Sequence, residues 1–369
     1  MKKQLMTTTA LVAAGVLATS GAAIAKPKLS LGGYWEGIIG AVDQDEDAVG
    51  NRVGLDIQQD AEIFFKGSVK LDNGIKITTR TELEGQSSNS SDTIDEAYMG
   101  IKGKFGEIRI GSEDNAAHLM TTGTMGSWAT NVGQNLAFDT GDWIEKPTGN
   151  QISTVNRLDL GDADSEKISY FTPRVGGFRV GVTYTPSFSE GVNSQPERYS
   201  TANHSGFAVA ARYDGKWDSV GISTAIGYAV ASPAAGTAPG NDSDPKGIAA
   251  GLKLTFGKIT VAGGYHHEMN LRSDGSTTGN DGNLAYDFGI KYDGGKNKFS
   301  FGYSTQETEG DNAAGVDEVQ NAMLSYRRVL GKGVQYRLNL MWTDYTGEDA
   351  GSADDNDGYA ITTSVRLGF

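Results

Sequence analysis

The sequence predicts an all-β fold, a 16-stranded antiparallel transmembrane β-barrel. Three observations predict it: apolar and polar residues alternate along many short segments, turn glycines recur at a regular interval, and long apolar runs are missing. Fifty-one glycines against eight prolines, with 38% hydrophobic residues, suit a globular core of this length poorly. In a barrel wall the apolar residues are spread one per two along every strand, so no run of them accumulates.

The chain opens with Lys2 and Lys3, an Ala-rich apolar stretch from Leu11 to Ala18, and Ala23-Ile24-Ala25, the small-residue pattern of an export-signal cleavage site. The apolar stretch is shorter than the roughly 20 residues a membrane helix needs. Residues 1–25 are therefore expected to be a signal peptide and residues 26–369 the mature chain. Residues 1–25 hold two lysines and no acid, so their removal takes the formal charge from −14 to −16. That charge argues against a nucleic-acid partner. Without cysteine the chain carries neither disulfides nor thiol chemistry.

Turn signals fall at Gly74, Gly106, Gly176, Gly215, Gly257, Gly295 and Gly333, and most intervals are close to about 38 residues. Such an interval holds two strands of about ten residues, one long loop and one tight turn. Two strands before Gly74 and two in each later interval make sixteen. Phe178, Val180, Val182 and Tyr184 share one face of their segment, as do Leu284, Tyr286, Phe288, Ile290 and Tyr292, while Gly181, Thr183 and Asp287 share the other. The uncharged stretch from Val220 to Asn241 is interrupted by Gly221, Gly227, Pro233 and Gly236, and reads as a strand entering a loop. Aromatics gather at both ends of the strands. Phe178, Tyr213, Phe256, Tyr292 and Phe369 lie by the short turns, and Tyr184, Tyr228, Tyr265, Tyr303 and Tyr359 lie by the long loops. Tyr359 to Phe369 spans about 33 Å of strand, or about 25 Å of height at a tilt of about 40°, the lipid-facing band of a membrane barrel.

Three segments give the mature chain a resemblance to the Gram-negative general porins, especially the alphaproteobacterial kind. They are KLSLGGYWEGIIGAV (Lys28 to Val42), EAYMGIKGKFGEIRIGSEDN (Glu96 to Asn115) and the closing VRLGF (Val365 to Phe369). The resemblance implies passive diffusion of small hydrophilic solutes, a third external loop folded back into the barrel, and a homotrimer. In the family a basic residue often follows the glycine that ends the short strand before that loop. Here Gly111 is followed by Ser112, Glu113 and Asp114.

The interval between Gly106 and Gly176 exceeds its neighbours by about 30 residues. Residues 112–166 contain Met120, Met125, Trp128, Leu136, Phe138 and Trp143, too apolar a set for a solvated flap. A barrel of sixteen strands is too wide to sieve small solutes unaided, so the segment is expected to fold into the pore. Glu113, Asp114, Asp139, Asp142 and Glu145 are then candidates for an acidic side of a constriction. Counting six residues up from the first tight turn places Lys66 and Arg80 on the inward face near mid-height, as the basic side. Lys70, Lys76, Arg109 and Arg366 face inward lower down. Opposed charges create a field across the aperture, and a chain at −16 is expected to prefer cations weakly.

No cofactor or metal centre is expected. His266 and His267 alternate in and out of the wall, and the run Asp43, Asp45, Asp47 has Ala48 where a calcium loop requires glycine. Acids such as Asp354, Asp355 and Asp357 are expected to be solvated, with divalent bridging to lipopolysaccharide as the other reading. There is no nucleophile-elbow, P-loop or dinucleotide motif, and His204 beside Ser205 is the one pair that a hydrolytic reading has to offer. Three alternatives remain open at this point: a channel specific for a sugar, phosphate or dicarboxylate, an enzyme, and a soluble secreted β protein.

Overall fold

The computed structural model describes residues 26–45, 52–85, 94–134, 136, 140–150, 152, 157–158, 160–163, 165–189, 202–234, 244–271, 282–309, 315–348 and 354–369. The expected export signal, residues 1–25, and Asp139 lie outside them. Sixteen strands are described: β1 (Lys28–Gln44), β2 (Leu55–Lys70), β3 (Lys76–Glu84), β4 (Ile94–Gly103), β5 (Gly106–Ser112), β6 (Glu166–Phe171), β7 (Phe178–Ser187) and β8 (His204–Trp217) form the first half. The second half is β9 (Val220–Ser232), β10 (Lys246–Phe256), β11 (Ile259–Met269), β12 (Gly282–Gly294), β13 (Asn297–Glu309), β14 (Asp317–Gly331), β15 (Val334–Thr346) and β16 (Asn356–Gly368). Each strand pairs antiparallel with its neighbours in sequence, and β1 pairs with β16, which closes the sheet. At the closing seam Glu36 stands opposite Arg366 on one side and Asp60 on the other. Closure leaves no unpaired edge, the condition for placing a sheet in lipid.

Burial separates the two faces of the wall. On β12, Phe288 is 48% exposed and its neighbour Asp287 7%, and the alternation repeats around the barrel. Outward positions carry large apolar groups such as Val180, Ile226, Leu252, Phe301, Leu340 and Ile361, which would be misplaced in water. Inward positions carry serine, threonine, asparagine, charged residues, alanine and glycine. Short turns fall at Gly74, Gly257, Gly295 and Gly333, all with positive φ. The turn expected at Gly215 lies further on, because Gly215 pairs with Ile222 inside β8. Asp218 takes the left-handed conformation there (φ 53°), which a short polar side chain tolerates.

The wall is shortest where the long segment enters: β5 has seven residues and β6 six, against seventeen in β1. Between them lie helix α1 (Ala116–Thr121), a 3-10 turn (Thr122–Thr124) and helix α2 (Gly126–Ala129). Gly111 at the end of β5 has φ 131°, and a Cβ there would meet the Ala97 carbonyl oxygen at 2.3 Å, so only glycine fits the departure from the wall. The chain's apolar core is not in the wall. It forms where residues of this segment meet inward-facing alanines and methionines: Ala117, Leu158 and Leu160 against Ala208, Ala229 and Ala249, and Leu136, Trp143 and Ile144 against Val319, Met323 and Met341. Each such large side chain contributes roughly 1.5–3 kcal/mol, which holds the segment against the inner face.

Candidate functional site

Both ends of the segment are pinned by polar contacts within the barrel. Asn115 caps α1 by accepting from the backbone N–H groups of Ala117 and His118, and its amide donates to Asp162 Oδ1 at 2.9 Å. Thr185 donates to the other Asp162 oxygen at 2.8 Å, and buried Lys167 donates to the carbonyls of Asp162, at 2.8 Å, and of Glu113 and Ala163. Wall cations then hold successive carbonyls along the segment. Arg212 donates to Met120 (3.1 Å), Lys253 to Gly123 (3.0 Å), Lys291 to Ala129 (3.3 Å) and Arg337 to Gly133 (3.4 Å). The helices of the segment lie against β6 to β13, its later residues pack on β14 to β16, and an open cavity of about 1130 Å³ remains beside β1–β4 and β14–β16.

Two walls of opposite sign line this cavity. Glu36, Asp60, Glu62, Glu84 and Asp95 come from β1 to β4, and Arg327, Arg337 and Arg366 from β14 to β16. Carboxylate oxygens of Glu62, Glu84 and Asp95 lie within 4.8 Å of one another. They are hard oxygen donors of the kind cations take, open to the lumen. On the other wall Glu36 joins the two signs, accepting from Arg337 at 3.0 Å, from Arg366 at 3.3 Å and from the Ser364 hydroxyl. Ser127, Trp128 and Asn131, in and just after α2, form the side of the cavity contributed by the segment.

The residues expected from sequence are distributed differently. Lys66 and Arg80 do face inward side by side, as register partners on β2 and β3. Lys66 Nζ and the Arg80 guanidinium each lie 4.6 Å from the Phe64 ring, Arg80 also pairs with Glu82, and neither lines the cavity. Lys70 and Lys76 are register partners beside the turn. Arg109 sits between Glu107, at 3.0 Å, and Glu113, with its guanidinium 5.3 Å from the Tyr98 ring. Arg366 lines the cavity.

Among the acids, Asp142 lines the cavity, and its backbone carbonyl accepts from Gln58 at 2.9 Å. Burial, with Asp60 adding to it, raises its carboxyl above the ordinary value. Glu145 pairs with Arg52 in a separate cleft. Glu113 is buried against Arg109, and burial outweighs that guanidinium to push its carboxyl up to about 7. Asp114 is also buried, but the His118 imidazole at 2.8 Å holds its carboxyl below the usual range. At the far end of β8, His204 Nδ1 and Ser205 Oγ lie 3.1 Å apart.

Of the residues expected from sequence, Arg366 and Asp142 line the cavity, and the acids of β2 to β4 line it beside them. Asp56, Gln58, Asp60 and Glu62 alternate on the inward face of β2, a polar stripe legible in the sequence. A family model described as Gram-negative porin matches residues 7–348. The chain belongs to the Gram-negative porin family. Its place is accordingly the bacterial outer membrane, and the fold and family are those of a channel. This porin is 27% identical over 262 residues to outer membrane porin protein 32 of Delftia acidovorans, covering 69% of this chain and 67% of the relative. It superposes on an anion-selective porin from Comamonas acidovorans with a TM-score of 0.66 at 18% identity, covering 93% of this chain and 100% of that one. The trimer form of OmpT, an outer membrane protein of Vibrio cholerae, matches with a TM-score of 0.62 at 12% identity, over 93% of this chain and 99% of that one. At these identities the solved structures speak for the fold alone.

Proposed function

We propose that this porin lets small hydrophilic solutes and ions diffuse passively through the cavity beside β1–β4 and β14–β16, with a weak preference for cations. The observation that carries the sign is the cavity's own lining. Glu36, Asp60, Glu62, Glu84, Asp95 and Asp142 stand against Lys146, Arg327, Arg337 and Arg366. Charges at the narrowest point weigh most, because there the solute has shed most of its water. Residues 112–166 supply the opposite side of the aperture, and in this reading Asp142 is the loop acid that ions meet, whereas Glu113, Asp114 and Glu145 act on the loop's own placement. Lys66, Arg80, Lys70, Lys76 and Arg109 contribute background potential lower in the lumen.

The Comamonas porin is described as anion-selective. In this chain the acidic stripe on β2 supports the opposite sign. The test is a reversal potential across a planar bilayer under a KCl gradient. Cation preference that fades as the salt concentration rises supports the reading, and a potential of anionic sign rejects it. Swelling of liposomes with neutral sugars of rising size then separates a general pore, which sieves by size, from a channel that saturates with one solute.

Three further parts belong to the same proposal. Residues 1–25 form a cleaved export signal, checked by a mature N-terminus at Lys26. Three copies assemble in lipid and lipopolysaccharide, as the trimer form of OmpT does in number, checked by heat-modifiable migration on a gel. The chain acts without a cofactor and not as an enzyme; hydrolysis that is lost in a His204→Ala variant would overturn that part.

A further inference from the structure

Helix α2 places Trp128 at the cavity and leads into Asn131, Val132 and Gln134, which also line it, and β12 grips the helix at both ends. The carboxylate of Asp287 accepts from the backbone N–H of Gly126 at 2.7 Å, from the backbone N–H of Ser127 at 2.8 Å, and from the Ser127 hydroxyl. Four residues along the same inward face, Lys291 donates to the Ala129 carbonyl at 3.3 Å. The wall beneath is cut to fit. A Cβ at Gly126 would lie 2.7 Å from the Phe288 backbone, one at Gly289 would lie 2.0 Å from Thr130 Oγ1, and one at Gly264 would lie 2.8 Å from Met125. At Phe288 and Gly289 the helix thus rests directly on the backbone of β12.

We propose that Asp287 is the positioning residue that sets the width of the pore. The proposal rests on the reading of residues 112–166 as the constriction. Trp128 and Asn131 line the cavity together with Glu36 and Asp60, while the Ser127 hydroxyl turns to Asp287. The distance between α2 and β12 therefore fixes how far these side chains reach into the aperture. A carboxylate is suited to the task because its two oxygens accept all three donors at once, while an amide would turn an NH₂ group toward one of them. Bonds to a carboxylate acceptor are also roughly twice as strong as neutral ones, so Asp287 is a strong single tie on this short helix. The ladder of β12 with β11 and β13 uses backbone groups only, so the wall stays closed when the side chain is changed.

The experiment compares single-channel conductance and the size limit for neutral sugars in the full-length porin, in Asp287→Asn and Asp287→Ala, and in the double variant Ser127→Cys with Asp287→Cys. The chain has no cysteine, so the pair can form a single defined disulfide. Heat-modifiable migration shows that each barrel is folded. Conductance of Asp287→Ala is expected to rise by about two-fold with a higher sugar limit, following the narrowest cross-section of an aqueous pore, with Asp287→Asn in between. The oxidised double variant is expected to conduct like the wild type and to widen on reduction, a reversal that a merely stabilising side chain would not produce. A folded Asp287→Ala barrel with wild-type conductance and size limit overturns this inference alone, as does a double variant indifferent to reduction. A wild type that conducts nothing overturns the pore reading and this inference with it.

Discussion

Arg337 on β15 reaches past β16 to Glu36 on β1, with 3.0 Å between guanidinium and carboxylate and 301 positions between them in the chain. Glu36 is 1% exposed and Arg337 9%, so both charges have left water at the seam where the barrel closes. Removing one partner of such a pair strands the other. Glu36→Ala is expected to cost about 3 kcal/mol, the lower end for breaking a buried pair, because Arg366 beside it still reaches water. Urea unfolding in lipid vesicles measures it, and a midpoint unchanged from wild type would show that the seam is held by its backbone ladder alone.

In the proposed reading, selectivity is expected to follow the acids of β2 to β4 that line the cavity. Replacing Glu62, Glu84 and Asp95 together with their amides removes three negative charges from one side of the aperture and leaves Arg327, Arg337 and Arg366 in place. The reversal potential in a KCl gradient is expected to move to the anionic side. Lys66→Gln with Arg80→Gln is expected to move it much less, since neither side chain lines the cavity. Equal shifts from the two sets would put the aperture lower, at the height of Lys66.

The contrast shows which parts were legible in the sequence. Strand faces and turns are local: a period of two and a glycine at each hairpin need no knowledge of the rest of the chain, so Phe178 to Tyr184 and Leu284 to Tyr292 were assigned to the correct face. Where the local signal was ambiguous the assignment slipped, as at Gly215, three residues before the left-handed Asp218. The height of the constriction is not local. It depends on where α2 docks, and that is decided by Asp287, 160 positions away from Ser127. Counting upward from a turn finds the inward face but carries no information on the level at which α2 docks. Asp287 appeared in the sequence merely as a polar residue between apolar ones.

The outer face gives a prediction independent of the pore. Leu252 stands midway along β10, outward and 46% exposed, where the wall meets the middle of the lipid slab. Leu252→Arg is expected to destabilise the barrel by about 2–4 kcal/mol, the cost of arginine on the lipid face at mid-depth. Folding titrations in urea with lipid vesicles give the value. A cost near zero would mean that this stretch of wall faces protein or water and not lipid.

The long segment is expected to respond to pH near neutrality. Burial pushes the Glu113 carboxyl from its ordinary value of 4.5 up to about 7, with the Arg109 guanidinium opposing, and Asp142 is shifted upward by burial and by Asp60. A carboxyl raised in the folded state stays protonated where the unfolded chain has already ionised. Its contribution to stability is thus complete below about 4.5 and is lost as the pH rises through about 7. The same titration changes the charge beside Arg109 at the root of the segment, behind the cavity lining. As the pH falls from about 8 to about 6, Glu113 loses its negative charge and leaves Arg109 less compensated, so cation preference is expected to weaken over that window. Glu113→Gln holds the position neutral and is expected to flatten this part of the profile, while Asp142→Asn removes a second carboxyl that burial and Asp60 shift upward. Reversal potentials recorded at a series of pH values check both, and a Glu113→Gln profile that overlays the wild type would place the titrating group elsewhere.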